Sequence, residues 1–270
     1  MPEIPDLEAI RGFLGPALSG REVEAVEVRL PWLVRSEQKL ESLIGRRLGP
    51  IERRGKFLII DIDDGRVLIV NAMLTGRFQW AETGMRRRPH SAVALLLAGG
   101  RELRYMDARR MGRWYVVRRE ELNAIPQFAD LGPDALAVGE GEFMERLQRH
   151  RGQIKATLTN QRFIAGIGNA YSDEILWEAR LHPHRRRATM DTEDQRRLHR
   201  AIGDVYGWAI PIVAQEVAEG LNQNTREWRA HLRVHRRAGE SCPRCGEGIR
   251  GQSRGGSETN YCLSCQPLAL

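Results

Sequence analysis

The sequence contains no apolar run approaching the roughly 20 residues that a membrane-spanning helix requires. Its first residues are acidic, and they lack the basic segment followed by an apolar stretch that marks a secretory leader. We therefore expect a cytoplasmic protein without membrane association. Hydrophobic residues make up 41% of the 270 residues, enough to bury the core of one large domain or two modest ones.

Lysine is scarce although the chain is basic, with a net charge of +7. Three of its 42 basic residues are lysines, namely Lys39, Lys56 and Lys155, and the rest are arginines. This balance suggests an anionic partner such as nucleic acid, and a basic soluble enzyme is an equal alternative from charge alone. Arginine suits two-point phosphate contacts, although genome base composition can produce the same bias. A lysine in such a chain can mark a place where an amine is needed.

Cysteine is absent from the first 241 residues, and all four cysteines follow in the pattern C-x2-C-x16-C-x2-C: Cys242, Cys245, Cys262 and Cys265. This spacing is typical of a four-thiolate zinc site, with two disulfides as the alternative. The Gly-rich segment between the two pairs predicts a two-stranded hairpin. We therefore expect one structural zinc ion, which supplies folding energy that so short a segment cannot obtain from burial. A four-thiolate site leaves no open position for water, which argues against a zinc-dependent hydrolase.

Hydrophobic patterning divides the chain into four parts. Residues 1–123 begin with a helix after Pro5 and continue with at least seven short strands, which predicts an antiparallel β-sandwich or barrel. Residues 124–139 are rich in Pro, Gly and Ala and are expected to form a linker. Residues 140–235 have helical periodicity, with a break or kink at Pro211. Residues 236–270 form the predicted zinc hairpin. The fold class is thus α+β.

Two motifs suggest contacts with an anionic polymer. In "FIAGIGNAY" (163–171), two glycines precede Asn169, which we expect to cap the next helix; a helix start of this kind can bind phosphate, and a tight turn between helices is the alternative. In "MDARRMGRW" (106–114), arginines surround Met111, and an exposed apolar side chain among basic residues can wedge into a duplex. The alternative is that Met111 belongs to the core.

Together the motifs resemble the formamidopyrimidine-DNA glycosylase and endonuclease VIII family of DNA repair enzymes. The resemblance covers nearly the whole chain, and its motifs occur in the family's order: "MPEIPDLE", "RRGKFL", "MDARRMG", "LGPDAL", "GIGNAY" with "EILW", "VHRRAGESC" and the terminal cysteines. It implies a β-sandwich flanked by helices, followed by a helix-two-turns-helix domain with a zinc finger. It also implies a DNA glycosylase and AP lyase that acts on damaged double-stranded DNA. Because nothing in the sequence demands an oligomer, we expect a monomer.

The resemblance assigns roles to individual residues. After loss of Met1, the amine of Pro2 would attack C1′ of the damaged nucleotide, Glu3 would carry protons, and Lys56 would complete the catalytic set by holding a phosphate. The expected DNA contacts are Leu74, His90, Arg109, Met111, Arg151, Asn169 and Arg254. Of these, Leu74, Arg109 and Met111 would fill the space left by the extruded nucleotide.

Three departures from the family pattern affect the expected activity. Ser257 replaces the arginine that grips the lesion phosphate, and Arg254 is the candidate to replace it, so we expect the second (δ) elimination to be weakened. Leu74 and Met111 replace the usual methionine and phenylalanine, but they remain apolar and long. The segment 220–228 is short, as in endonuclease VIII relatives. Oxidised or ring-opened purines are the first expected substrate, with oxidised pyrimidines as the alternative; a non-catalytic DNA-binding protein is the competing functional class.

Overall fold

The computed structural model describes residues 1–221, 229–254 and 256–268. It divides into two compact units. The first contains Met1–Ala129 and Ile210–Arg229, and the second contains Asp130–Ala209 and Ala230–Leu270. The boundary after Ala129 falls inside the predicted linker. Residues 210–229 belong to the first unit rather than to the helical part, because Val213, Val217 and Leu221 are buried in the core of that unit.

Helix α1 opens the first unit and spans Ile4–Leu18. Glu3 occupies its N-cap in extended conformation, and the Glu3 amide donates to the Asp6 carboxylate at 2.8 Å. Leu7, Ile10, Leu14 and Leu18 are buried along one face. This i, i+3, i+7 spacing is the helical periodicity by which the sequence predicts α1.

The described residues of the first unit contain eight strands, which form two antiparallel sheets. Their bounds are β1 Val23–Val28, β2 Leu48–Arg54, β3 Phe57–Ile62, β4 Arg66–Asn71, β5 Gly76–Glu82, β6 Ser91–Leu97, β7 Arg101–Asp107 and β8 Arg113–Arg118. One sheet has the order β1-β6-β7-β5 and the other β2-β3-β4-β8. Short 3-10 helices lie at Pro31–Leu33, Leu40–Leu43 and Arg119–Ala124. The expected antiparallel sandwich is therefore present.

The core of the first unit explains the continuous apolar run of β3. Leu58, Ile60 and Ile62 belong to the main hydrophobic cluster. Phe57 and Ile59 point to the opposite face, where they are also buried. Phe57 contacts Phe128 there, with ring centroids 5.3 Å apart. Burial on both faces removes the apolar-polar alternation expected of a half-exposed strand.

The second unit is mainly helical. Its helices are α2 Glu140–Gln148, α3 Ile154–Leu158, α4 Asn169–Glu178 and most of α5 Thr192–Ala218, with a 3-10 helix at Arg187–Thr189. Helix α5 continues through Pro211, so of the two expected outcomes, a break or a kink, the break is wrong. Proline has no N–H group, so Pro211 cannot donate the usual helical hydrogen bond to the carbonyl of Gly207. Both residues are exposed, and water can therefore replace the lost bond. Among the described residues, no helix combines the length and apolar character needed to cross a membrane.

The C-terminal hairpin consists of β9 Arg250–Arg254 and β10 Ser257–Tyr261, as the sequence predicts. Its buried apolar cluster is small and comprises Trp177, Val234, Ile249, Cys242 and Cys262. Trp177 also donates its indole N–H to Cys242 Sγ at 3.4 Å. The two described strands thus rest on helix α4 and on the cysteines rather than on an extensive core.

Candidate active site and metal-binding hairpin

The N-terminus forms a buried cluster of opposite charges in the first unit. Pro2 is buried, and Glu3 and Asp6 are 3% and 0% exposed. Arg229 reaches both acids, with guanidinium nitrogens 3.4 Å from Glu3 Oε1 and 2.8 Å from Asp6 Oδ2. It also donates to the carbonyl of Met1 at 3.1 Å. Arg229 was not among the sequence-predicted site residues.

This environment favours a neutral amine at the start of the chain. Burial and the positive charge of Arg229 lower the pKa of the Met1 amino group from about 8 to about 6, against an opposing contribution from Glu3. Arg77 acts in the same direction as Arg229. Burial also raises the pKa of Asp6, which the charge of Arg229 partly offsets. An amine with a pKa near 6 is largely unprotonated at neutral pH and is therefore nucleophilic.

Lys56 is part of the same electrostatic environment. It lies directly before β3 and is half-buried. Burial lowers its pKa, while the nearby Glu3 carboxylate raises it and Arg229 lowers it. The structure therefore brings the predicted catalytic residue Lys56 close to Glu3, which adjoins Pro2, although Lys56 lies more than 50 positions further along the sequence.

The predicted DNA contacts of the first unit lie on three turns. Leu74 is half-buried in the turn between β4 and β5. Arg109 and Met111 lie in the turn between β7 and β8, where Met111 is 39% exposed rather than part of the core. His90 is exposed directly before β6 and has a positive φ of 63°. All four side chains are at least partly accessible.

Among the predicted DNA contacts of the second unit, Asn169 contacts the hairpin. Helix α4 begins at Asn169 with Gly168 as its N-cap, so Asn169 is the first helical residue rather than the cap. Its side-chain amide instead donates to the carbonyl of Glu258 at 2.9 Å and accepts from the Ser257 hydroxyl at 2.8 Å. Arg151 is exposed in the segment between α2 and α3. The side chain of Arg254 and most of segment 220–228 lie outside the described residues.

Lys155 connects helix α4 to the hairpin. Its ammonium is 2.6 Å from Asp173 Oδ1, 3.0 Å from the carbonyl of Glu258 and 2.9 Å from the hydroxyl of Thr259. Asp173 is fully buried and also accepts from His235 Nδ1 at 2.7 Å. The rarity of lysine was the one sequence signal for Lys155, because no motif contains it.

The four cysteines are arranged to bind a metal ion. Their sulfur atoms all lie within 4.8 Å of one another. The pairs Cys242–Cys265 and Cys245–Cys262 have Sγ–Sγ distances of 3.8 and 3.5 Å, too long for disulfides, and all four thiols are free. Sulfurs about 2.3 Å from a tetrahedral zinc are about 3.8 Å apart, so this arrangement fits zinc.

Comparisons with known proteins agree with this architecture. Residues 1–114 match the formamidopyrimidine-DNA glycosylase N-terminal domain, and residues 131–219 match the H2TH domain of the same enzyme. A formamidopyrimidine-DNA glycosylase of Pelotomaculum thermopropionicum is 33% identical over 275 residues, covering 99% of this chain and 100% of the relative.

Two similar crystal structures contain DNA. A Lactococcus lactis Fpg (MutM) complex with Fapy-dG DNA has a TM-score of 0.88 and 29% identity, covering 98% of this chain and 100% of that one. A MutM complex with DNA containing carbocyclic 8-oxo-G has a TM-score of 0.88 and 28% identity, with the same coverage. The chain described above therefore belongs to the formamidopyrimidine-DNA glycosylase family of base-excision-repair enzymes, which combine DNA glycosylase and AP lyase activities.

Proposed function

We propose that this protein excises oxidised or ring-opened purines from double-stranded DNA and then cleaves the strand at the abasic site. Family membership supports the reaction class, and the related structures with Fapy-dG and 8-oxo-G DNA support the purine lesions. The observation that carries the proposal is the buried cluster of Glu3, Asp6 and Arg229 at the chain start, which lowers the pKa of the amine that Met1 carries there. A DNA-binding protein without catalytic function has no use for such an amine.

The nucleophile in this proposal is the secondary amine of Pro2. The small second residue permits removal of Met1, and Pro2 is itself buried in the cluster of Glu3, Asp6 and Arg229. Its nitrogen attacks C1′ while the glycosidic bond breaks and the departing base takes up a proton. The nitrogen then loses its own proton, and the C1′–O4′ bond opens as O4′ takes up a proton, which leaves an iminium that makes a C2′ proton acidic. Loss of that proton and departure of the 3′ phosphate complete the β-elimination.

Glu3 and Lys56 assist the amine in this scheme. Glu3 is close enough to the amine to influence its pKa, and its carboxylate can shuttle protons to and from the sugar. Lys56 shares this environment and supplies an ammonium group for a phosphate beside the lesion. Because Arg229 contacts Glu3 and Asp6 and lowers the amine pKa, we assign it to the positioning of the same groups.

DNA binding in this proposal uses residues of both units. Leu74, Arg109 and Met111 enter the duplex in place of the extruded nucleotide, and His90 contacts the backbone. In the second unit, Arg151, Asn169 and Arg254 contact phosphates. We propose that one protomer suffices, acting on chromosomal DNA in the cytoplasm. A sedimentation experiment with and without a lesion duplex would test the 1:1 stoichiometry.

Zinc would be held by Cys242, Cys245, Cys262 and Cys265, and its role would be structural because four thiolates leave no position for water. The hairpin carries Ser257 and Glu258, which contact Asn169. The metal would therefore support the position of Asn169, a proposed DNA contact, without taking part in the reaction.

Borohydride trapping tests the amine. Protein shown by mass to lack Met1 is mixed with duplexes carrying an abasic site, 8-oxoguanine or an oxidised pyrimidine, and borohydride reduces any iminium to a stable cross-link. We expect cross-links to the abasic and purine-lesion duplexes, none with Pro2→Ala, and retention with the control Pro5→Ala. Strong binding without any cross-link would refute the glycosylase-lyase proposal in favour of a non-catalytic DNA-binding role.

We further propose that strand cleavage stops mainly after β-elimination. Ser257 replaces the family arginine, and its hydroxyl is 2.8 Å from Asn169 Oδ1, so the hairpin offers a neutral group at this position. A neutral group stabilises a departing phosphate less than a guanidinium does. Gel analysis should show the unsaturated aldehyde as the main 3′ end, and Ser257→Arg should increase the 3′-phosphate product. A dominant 3′ phosphate from the unaltered protein would refute this proposal.

A further inference from the structure

The two turns that carry the predicted duplex-entering side chains share an unusual backbone feature. Met73 has φ of 50° and Arg110 has φ of 56°, a left-handed conformation that non-glycine residues rarely adopt. Met73 directly precedes Leu74, and Arg110 directly precedes Met111. The left-handed residue in each turn therefore sets the direction of the wedge residue that follows it. Such conformations persist only where surrounding contacts enforce them.

One buried carboxylate supplies many of these contacts. Asp107, at the end of β7, is 1% exposed. It accepts the backbone N–H groups of Arg109 at 3.2 Å, Met111 at 2.8 Å and Gly112 at 2.7 Å. These bonds tie the whole turn between β7 and β8 to a single side chain.

The same carboxylate reaches the other turn through Thr75. The Thr75 hydroxyl donates to Asp107 Oδ1 and accepts the backbone N–H of Arg109 at 3.0 Å. In addition, the backbone N–H of Asp107 donates to the carbonyl of His90 at 3.0 Å. Asp107 is therefore connected to each of the three turns that carry the predicted DNA contacts of the first unit.

Tyr105 fixes the spacing between the two wedge turns. Its hydroxyl lies 3.2 Å from the carbonyl of Ala72 and 3.4 Å from Asp107 Oδ2. A Cβ atom would lie 2.1 Å from this hydroxyl at Gly76 and 2.0 Å from it at Gly112, so both glycines are required by space. Burial and the charge of Asp107 raise the pKa of Tyr105, which keeps its hydroxyl protonated and able to donate.

We propose that Asp107 is a positioning residue that joins the turns of Leu74 and of Arg109 and Met111 into one preorganised wedge. This inference rests on the proposed function. Without the carboxylate, two strained turns would sample other conformations, and the side chains would have to be ordered at the moment the nucleotide leaves the stack. Asp107 would thus affect nucleotide extrusion but not the chemistry at Pro2.

Asp107→Asn is the direct test. It replaces one carboxylate oxygen with an amide NH₂ group, so backbone N–H groups that now donate to Asp107 would face another donor instead of an acceptor. The readout is the ratio of two rates in the full-length protein: 8-oxoguanine excision from a duplex, and cleavage of a preformed abasic site in single-stranded DNA, which needs no wedge. We expect the rate on the duplex to fall about 10- to 100-fold, because misplaced groups typically lower a rate by such factors. The rate on single-stranded DNA should stay within about threefold of the wild-type rate.

Two further variants guard against a folding defect. Thr75→Val keeps the side-chain shape but removes the hydroxyl, and it should lower the same ratio by a smaller factor. Glu102→Gln is the matched control: Glu102 is also buried on β7, where it accepts from Arg104 Nε at 2.7 Å, and no described hydrogen bond joins its side chain to either wedge turn. We expect Glu102→Gln to leave the ratio unchanged even if the protein is less stable.

Equal loss of both rates in Asp107→Asn and Thr75→Val, or the same altered ratio in Glu102→Gln, would overturn the proposal.

Fluorescence of 2-aminopurine placed opposite an abasic analogue reports base unstacking without any chemistry. If the wild-type protein is inactive, the proposed function fails, and this signal still tests the wedge. Asp107→Asn should then bind the duplex with a much smaller fluorescence increase than wild type, and an equal increase would refute the inference.

Discussion

Each unit contains a buried carboxylate that accepts three backbone N–H groups, but the surroundings of that carboxylate differ. In the first unit, Asp107 accepts three backbone N–H groups at the end of a sandwich strand. In the second unit, Glu174 also accepts three, from Arg233, Val234 and His235, at 2.9–3.0 Å. Its neighbour Asp173 adds an ion pair with Lys155 and a hydrogen bond with His235.

The difference follows from how much apolar surface the sandwich and the hairpin each bury. The sandwich buries strands from two four-stranded sheets together with α1, so its turns need only hydrogen bonds to become ordered. The hairpin has a small apolar cluster that includes two of its own cysteines. A short segment with so little core needs a metal or an ionic network, and this hairpin has the residues for both.

Loss of the metal site should produce the largest effect. Structural zinc contributes about 10–16 kcal/mol in small zinc-binding peptides, so Cys262→Ser should unfold the hairpin while the first unit remains folded. Limited proteolysis with mass spectrometry and zinc analysis would show new cleavage confined to residues 236–268. Ser264→Ala, an exposed non-ligand between two ligands, should retain zinc and resistance. A hairpin that stays protected in Cys262→Ser would show that the ionic network alone is sufficient.

Breaking the ionic network should cost less. Lys155→Met keeps the aliphatic stem but leaves the fully buried Asp173 without its ammonium partner, an arrangement that typically costs about 3–5 kcal/mol. Hydrogen exchange should accelerate in β9 and β10. Lys39→Met changes an exposed lysine and should leave both stability and exchange unchanged. Similar exchange in the two variants would argue that Lys155 contributes nothing to hairpin stability.

Overpacking beside Tyr105 tests the corresponding feature of the first unit. The new methyl of Gly112→Ala would lie 2.0 Å from the Tyr105 hydroxyl, so something must move, and we expect a cost of about 1–3 kcal/mol in denaturant unfolding. Adding Tyr105→Phe should recover part of that loss. Gly12→Ala, in helix α1 with open space around it, should instead be neutral or slightly stabilising. Additive effects of Gly112→Ala and Tyr105→Phe would refute the steric explanation.

The smallest effect concerns pH. Burial and Arg229 lower the pKa of the amine at the chain start to about 6 with Met1 in place, and the same groups surround Pro2. Only the unprotonated amine attacks, so trapping should rise with pH and level off well below the ordinary amine pKa of about 8. Arg229→Gln removes one cause of the lowering and should move the midpoint to higher pH. A midpoint near 8 in both proteins would contradict this electrostatic role.

Several predictions could be made from sequence because they depend on local pattern. The family and the α+β sandwich with a C-terminal cysteine cluster are confirmed. The hairpin between the cysteine pairs follows from spacing and turn residues. The segment predicted as helical around Lys155 is helical only over Ile154–Leu158. The assignments of Pro2, Glu3, Lys56 and the DNA-contacting residues remain predictions.

The sequence alone determined the metal-binding motif, because that motif depends on residue types at fixed spacings along the chain, and its motifs carried the family resemblance that implied the reaction class. Tertiary structure decided which groups support them. Asp107 lies inside the quoted motif "MDARRMG", yet its link to Thr75 spans 32 positions, and the contacts of Lys155 with the hairpin span more than 100. Arg229 reaches Glu3 from 226 positions away. Hydrogen bonds and desolvation act through space, so only the folded chain shows which residues organise the turns and lower the pKa of the amine.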